Sequence, residues 1–239
     1  MATPEEMRIT VTTNGPYRVT GSVPLVPRTI VTDEEGFSVE WGEGEPFTTE
    51  ATYELCRCGA SKTAPFCDRA CEDGGFDGTE TASREPSLSQ ADEQVGPNLI
   101  LTDAEVLCSF ARFCDFGGRV WNLVEEPDEA SREVAIRDAK LCPSGRLIAW
   151  DRETQRPFEE DYAPSIGVVQ DPTQGCSGPL AVRGGIQVTA ADGFAYEQRN
   201  RQTLCRCGRS SNKPFCDGTH AAIDFDDGQR PISGRSSGT

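Results

Sequence analysis

The sequence holds a single histidine, His220, in 239 residues. A catalytic pair of imidazoles therefore cannot be assembled, and no G-x-G-x-x-G or P-loop pattern is present to suggest a nucleotide. Basic residues are in the minority: Lys+Arg 23 against Asp+Glu 39 leaves a net charge of −16. That charge repels phosphate backbones and excludes nucleic acid as a general partner. No run of about 18 apolar residues exists, so no transmembrane helix and no membrane partner is expected. The opening residues, MATPEEMRIT, lack the basic and apolar regions of a secretory leader, which points to the cytoplasm. Hydrophobic residues (36%) and aromatics (8%) are scarce, yet both recur in short β-branched and aromatic runs. The composition is therefore not that of a disordered chain.

Cysteine is what the sequence has in excess, with 11 residues. In a reducing compartment clustered thiols bind metal or carry redox chemistry more often than they form disulfides, and an odd count suits disulfides poorly. Their grouping follows an internal repeat. Residues 55–71, LCRCGASKTAPFCDRAC, align without a gap on residues 204–220, LCRCGRSSNKPFCDGTH, and the register persists to Phe76-Asp77 and Phe225-Asp226. Upstream, Gly15-Pro16 and the Val19–Val23 segment are echoed by Gly178-Pro179 and Val182–Ile186. Both halves run from such a strand to a cysteine motif.

Alternating β-branched and aromatic residues predict strands at Arg8–Val11, Tyr17–Val23, Phe37–Trp41 and Tyr53–Leu55. In the second half the same signal falls on Leu180–Val182, Ile186–Thr189, Phe194–Tyr196 and Thr203–Leu204. Residues 79–98 read as a polar linker and 228–239 as a disordered tail.

The second copy offers Cys205, Cys207, Cys216 and His220, a four-ligand soft-metal set. Cys205 and Cys207 lie two apart at a strand end, so their side chains share one face. Asp217 suits the N-cap of a short turn that would bring His220 to the side of Cys216. The pattern resembles the CDGSH (mitoNEET-like) iron–sulfur family, whose motif is filled by Cys205, Cys207, Ser210, Pro214, Cys216, Asp217, Gly218, Thr219 and His220. The resemblance implies a [2Fe–2S] cluster, with Cys205 and Cys207 on an inner iron and Cys216 and His220 on an outer, solvent-facing one. A structural zinc site is the alternative, although C-x-C is an unusual zinc pairing.

In the first copy Cys56, Cys58, Ser61, Pro65, Cys67 and Asp68 match, while Arg69-Ala70-Cys71 replaces Gly-Thr-His. Cys71 stands at the spacing of His220, so a four-cysteine [2Fe–2S] cluster is expected, the alternative being a degenerate repeat without metal. An imidazole in place of a thiolate makes a cluster less negative. The His220 site should therefore have the higher potential and couple to protons through an exposed imidazole.

Between the repeats, residues 99–165 carry Cys108, Cys114 and Cys142. Thr102–Glu105 reads as a capping box opening a helix, Pro127 as the start of a second helix through Leu141, and Arg146–Asp151 as a strand. The C-x5-C pair followed by Cys142-Pro143 looks like a single-cluster ferredoxin-like domain holding a [3Fe–4S] or [4Fe–4S] cluster. The alternative is three buried free cysteines acting as small hydrophobes. Cys176 belongs to the second half and is read as a non-ligand.

Together these readings predict an α+β fold. Residues 1–78 and 176–227 would form a pseudo-two-fold β-rich unit, a pseudo-dimer within one chain, interrupted by a helical ferredoxin-like insert. They predict an electron-transfer protein that docks a redox partner such as a reductase or oxygenase. The alternatives are an iron–sulfur carrier or redox/pH sensor and, ranked below these, a subunit of a redox enzyme.

Overall fold

The computed structural model describes residues 7–73 and 75–229, so residues 230–239 of the expected tail lie outside the described residues. In the first half the strands are β1 (Arg8–Val11), β2 (Tyr17–Thr20), β3 (Leu25–Thr32), β4 (Ser38–Glu43) and β5 (Thr52–Leu55), followed by the short helix α1 (Ala70–Asp73). The insert contains β6 (Asp92–Val95), β7 (Leu99–Asp103), α2 (Val120–Glu125), α3 (Glu129–Leu141) and β8 (Leu147–Asp151). The second half contains β9 (Ser165–Asp171), β10 (Cys176–Arg183), β11 (Gln187–Thr189), β12 (Arg201–Leu204) and α4 (Thr219–Ala222). The fold is α+β, sheet-rich with few helices.

Two sheets repeat one pattern and exchange a strand. The first has the order β11-β1-β2-β5 and the second β12-β10-β9-β3-β4. In the first, β2 pairs antiparallel with β1 and β5, and β11 from the second half adds in parallel on β1. In the second, β10 pairs antiparallel with β9 and β12, and β3 from the first half adds in parallel on β9. Each half thus completes the other's sheet, and neither sheet is whole without the exchange.

The inner faces of both sheets share one core, including Tyr17, Val19, Leu25, Leu55, Ile166, Leu180, Val188 and Leu204. Strand β2 buries alternate residues, but every residue of β10 is buried. The reason lies on its outer face, where Ala181 and Val169 pack against Ala111 and Phe113 of the insert. A strand covered on both sides loses the alternating signal.

The insert builds its own core from β7, β8, α2 and α3, with Leu99, Leu101, Val120, Leu123, Ala135, Ala139 and Leu147 buried together. Helix α3 is capped by Asp128, whose Oδ1 accepts from the Ser131 amide at 3.0 Å. Its other end is held by Arg201, which donates to the carbonyls of Ala139 (2.7 Å) and Lys140 (3.1 Å) and pairs with Glu159. A cation at orphan C-terminal carbonyls satisfies acceptors the helix cannot.

Several boundaries differ from those predicted. The segment 79–98 is not wholly a linker, because β6 lies inside it and pairs with β7 beyond it. The Thr102–Glu105 capping box opens no α-helix: β7 runs through Asp103, and only a single turn, Glu105–Leu107, follows. Pro127 precedes the N-cap of α3 rather than entering its first turn. Phe194–Tyr196 forms only an isolated bridge, Thr189↔Ala195. Strands β3 and β9 carried no clear sequence signal, since Pro27 interrupts β3 and β9 is buried almost throughout.

Candidate metal centres

Each repeat closes the same loop with the same bonds. The amide of Cys56 donates to the Pro65 carbonyl at 2.8 Å, and that of Cys205 to the Pro214 carbonyl at 2.9 Å. The amides of Cys67 and Cys216 donate to the carbonyls of Glu54 and Thr203, both at 3.0 Å. Ser61 and Ser210 each donate a hydroxyl to the carbonyl of the phenylalanine five residues on, at 2.7 Å. Asp68 and Asp217 accept the amides of Lys62 (2.8 Å) and Ser211 (2.7 Å) across the loop. The side-chain bonds explain why the Ser and Asp positions recur with the cysteines. Asp217 bonds Thr219 and so forms the turn, while the N-cap of α4 is Gly218.

The ligand side chains fall into pairs. Cys56 and Cys58 sulfurs are 3.6 Å apart, Cys205 and Cys207 3.7 Å, and Cys216 Sγ lies 3.4 Å from His220 Nδ1. Two thiolates on one tetrahedral metal at about 2.3 Å would stand about 3.8 Å apart, so each pair fits a single metal. Among the described residues no three His, Cys, Asp or Glu side chains converge on one ion. Ligands met as pairs, rather than as a quartet, suit a two-metal group better than one zinc.

Within each C-x-C pair one thiol hydrogen-bonds the other. That bond lowers Cys56 to about 6 and Cys205 to about 7, and it pushes Cys58 and Cys207 up. Burial raises Cys67 to about 11 and holds Cys216 well above the usual thiol range. Cationic iron would draw those protons off, so loading releases protons. Burial, and then the charge of Arg206, lower His220 to about 4, which leaves the imidazole in its neutral, ligating form.

His220 does not face solvent. Its side chain is on a residue only 4% exposed, and Cys205, Cys207 and Cys216 are buried with it. The expected solvent-facing edge with an exposed imidazole is therefore corrected. The insert sits over this turn: a Cβ on Gly218 would lie 3.2 Å from Phe110 Cβ and 3.4 Å from the Cys108 carbonyl oxygen. In the first repeat Cys56 and Cys71 are buried while Cys58 and Cys67 are half-buried. Its counterpart of Gly218 is Arg69, also at positive φ, which reaches outward to Glu54 at 2.7 Å. The glycine stands in the copy that the insert covers closely.

Arg57 and Arg206 do not extend along the cysteine side. Each lies between two cysteines just past the end of its strand and is turned back onto its own half's backbone. They are 1% and 3% exposed and brace backbones: Arg57 bonds the carbonyls of Gly15, Thr12 and Gly78, and Arg206 those of Gly178 and Val169, with Asp227 as its ion partner. Lys213 donates to the Ser210 carbonyl at 2.7 Å, while Lys62 is exposed.

Tyr17 carried no signal in the sequence beyond its place in a strand. Fully buried, its hydroxyl sits 2.8 Å from the Cys205 carbonyl and 2.9 Å from that of Pro214, so the first half supports the second half's loop. The equivalent position on β10 is Leu180, which has no hydroxyl.

In the insert Cys108, Cys114 and Cys142 line one pocket together with Phe110, Phe113 and Arg146. Burial raises Cys114 to about 12, and negative charge on Cys142 and Cys108 adds to the shift. Three thiols lining one pocket fit a cluster better than scattered core cysteines. Cys176 lies apart from them, buried and raised to about 11, near Asp171.

Comparison with known proteins agrees with this geometry. The iron-binding zinc finger of CDGSH type matches residues 14–70 and 177–221, and a divergent 4Fe-4S mono-cluster family matches residues 95–152. No curated protein and no solved structure matches the chain. The family signal therefore comes from the domains, matched where the paired cysteines and the cysteine-lined pocket lie. The chain is a CDGSH-type iron–sulfur protein in which two CDGSH-type motifs flank a divergent single-cluster ferredoxin-like insert.

Proposed function

We propose that the chain is an electron-transfer protein carrying two unlike [2Fe–2S] clusters and a third cluster in the insert. Cys56, Cys58, Cys67 and Cys71 would hold one cluster, and Cys205, Cys207, Cys216 and His220 the other. Cys108, Cys114 and Cys142 would hold a [4Fe–4S] or [3Fe–4S] cluster. The observation that carries the reading is the pairing of ligands at single-metal spacing in both repeats beside a three-thiol pocket. Buried ligands keep a cluster in place between oxidation states, as a carrier of electrons requires. Burial of His220 speaks for retention of the cluster rather than for its delivery to another protein.

Abundant surface carboxylate on a chain of net charge −16 suits docking to a basic face of a reductase or oxygenase. Among the described residues no helix is long and apolar enough to cross a membrane.

Stepwise electrochemical reduction of the loaded chain tests the assignment. Two separable [2Fe–2S] reductions are expected, and the His220→Cys variant should lose the higher one and gain a second low-potential step. A single shared reduction in the unmodified chain, unaltered by the substitution, contradicts it.

A further inference from the structure

The second repeat's site has a neighbour on each side. On one side a Cβ on Gly59 would lie 2.6 Å from the Cys207 carbonyl oxygen, and one on Gly208 would strike the carbonyl oxygen of Cys58. The two C-x-C loops therefore touch backbone to backbone. On the other side Gly218, between Cys216 and His220, meets the insert at Cys108 and Phe110. Cys108 is itself one wall of the three-thiol pocket. Arg112, which follows Phe110 by two residues, clamps this face with a 2.5 Å ion pair to Asp171 at the end of β9; both partners are largely buried.

Among the described residues no hydrogen bond or ion pair joins residues 56–73 to residues 95–165. The insert reaches the first half elsewhere, through Trp41 and the Leu141 carbonyl, 3.2 Å apart. The order along the molecule is thus first repeat, second repeat, insert. The middle position is also the sealed one, with all four ligands buried.

We propose, resting on the electron-transfer reading, that the three sites form a linear relay in which the second repeat is the obligatory middle station. Tunnelling falls off exponentially with separation, so the two touching seams outcompete any direct passage from the first repeat to the insert. The step is a one-electron exchange: one site is oxidised as its neighbour is reduced, and no bond or proton moves. A sealed middle site must then be filled and emptied through its neighbours, and an external redox partner engages the first repeat or the insert.

Pulsed electron paramagnetic resonance on the dithionite-reduced, fully loaded chain tests this order. The signal that shows coupling to imidazole nitrogen reports the second repeat, and the one without it the first. The nitrogen-coupled signal should relax faster when the insert is paramagnetic, and should lose that enhancement in Cys114→Ser. The signal without nitrogen coupling should be unchanged by the substitution. Persistence of both repeat signals in the variant shows that the rest of the chain is folded. The same comparison in the unmodified chain, poised where the insert is diamagnetic, needs no variant at all. Enhancement confined to the first-repeat signal, or equal on both, overturns the order while leaving electron transfer standing. An insert shown to be empty by iron content overturns the relay together with the third cluster, and the two failures are told apart by that count.

Discussion

Gly59 and Cys207 meet at the pseudo-two-fold axis, with the place a Cβ would occupy on Gly59 lying 2.6 Å from the Cys207 carbonyl oxygen. Gly208 and Cys58 make the reciprocal contact. Both glycines are at positive φ, +79° and +75°, so two requirements fall on each residue: a left-handed backbone and no side chain.

Gly59→Ala and Gly208→Ala should therefore each cost more than backbone strain alone. About 1 kcal/mol is expected for the φ, and a further 1–3 kcal/mol for a clash against backbone that cannot move aside. Gly36, at +89° with nothing within 4 Å, is the control, and its alanine variant should show only the first of these costs. Thermal denaturation of the loaded variants measures the difference. Equal losses at Gly36 and Gly59 would mean the loops do not touch.

Asp227 is the counter-charge to buried Arg206. Burial alone would raise its carboxyl, but the Arg206 charge and hydrogen bonds from Gln170 and the Gln229 amide outweigh that and hold it below the usual range. A lowered carboxylate pKa contributes stability above the unfolded value, and this is lost only as the pH falls through the folded one. At neutral pH Asp227→Asn leaves Arg206 uncompensated and should destabilise by about 3–5 kcal/mol, read as an earlier loss of visible absorbance on heating.

Tyr17→Phe removes one hydroxyl from beneath two carbonyls of the second loop. The Pro214 carbonyl keeps the Cys205 amide, so about 1–3 kcal/mol is the expected cost of leaving the Cys205 carbonyl unsatisfied. On heating, the histidine-ligated signal should bleach earlier than in the parent chain, with the first-repeat signal holding its usual midpoint. Earlier loss of both signals together would place the effect in the shared core instead.

Asp138 on α3 is fully buried, and its Oδ2 has no hydrogen-bond partner among the described residues. Burial raises its pKa from 3.8 to about 7, only partly opposed by Arg137, which lies 3.2 Å from Oδ1. Between these values the folded chain holds a proton that the unfolded chain has released, so this group's contribution falls as the pH rises from about 4 to 7 and is level above. The Asp138→Asn variant should gain on the parent chain across that window, by an amount on the order of 4 kcal/mol at most. Thermal midpoints measured at several pH values check the slope. A constant difference between the two chains would contradict it.

The repeat made most of the ligand set legible, because two aligned copies separate what the loop requires from what varies. Ser61 and Ser210, and Asp68 and Asp217, recur because each side chain makes a bond that shapes the loop. Arg57 and Arg206 recur because each braces backbone carbonyls of its own half. The exchange of β3 and β11 was not legible. It depends on which sheet a strand joins, and nothing local to Leu25–Thr32 records that choice. Burial of His220 was hidden for a similar reason: the covering residues, Cys108 to Phe110, lie more than a hundred positions earlier in the chain. Gly218 against Arg69 was the one visible trace, a small residue retained in the copy where the insert lands.

Iron and acid-labile sulfide content of the anaerobically purified chain tests the central claim most directly. Two clusters in the repeats and one in the insert predict about eight irons per chain with a [4Fe–4S] cluster, or about seven with a [3Fe–4S] cluster. About four irons would contradict a loaded insert, and zinc without labile sulfide would contradict the account as a whole.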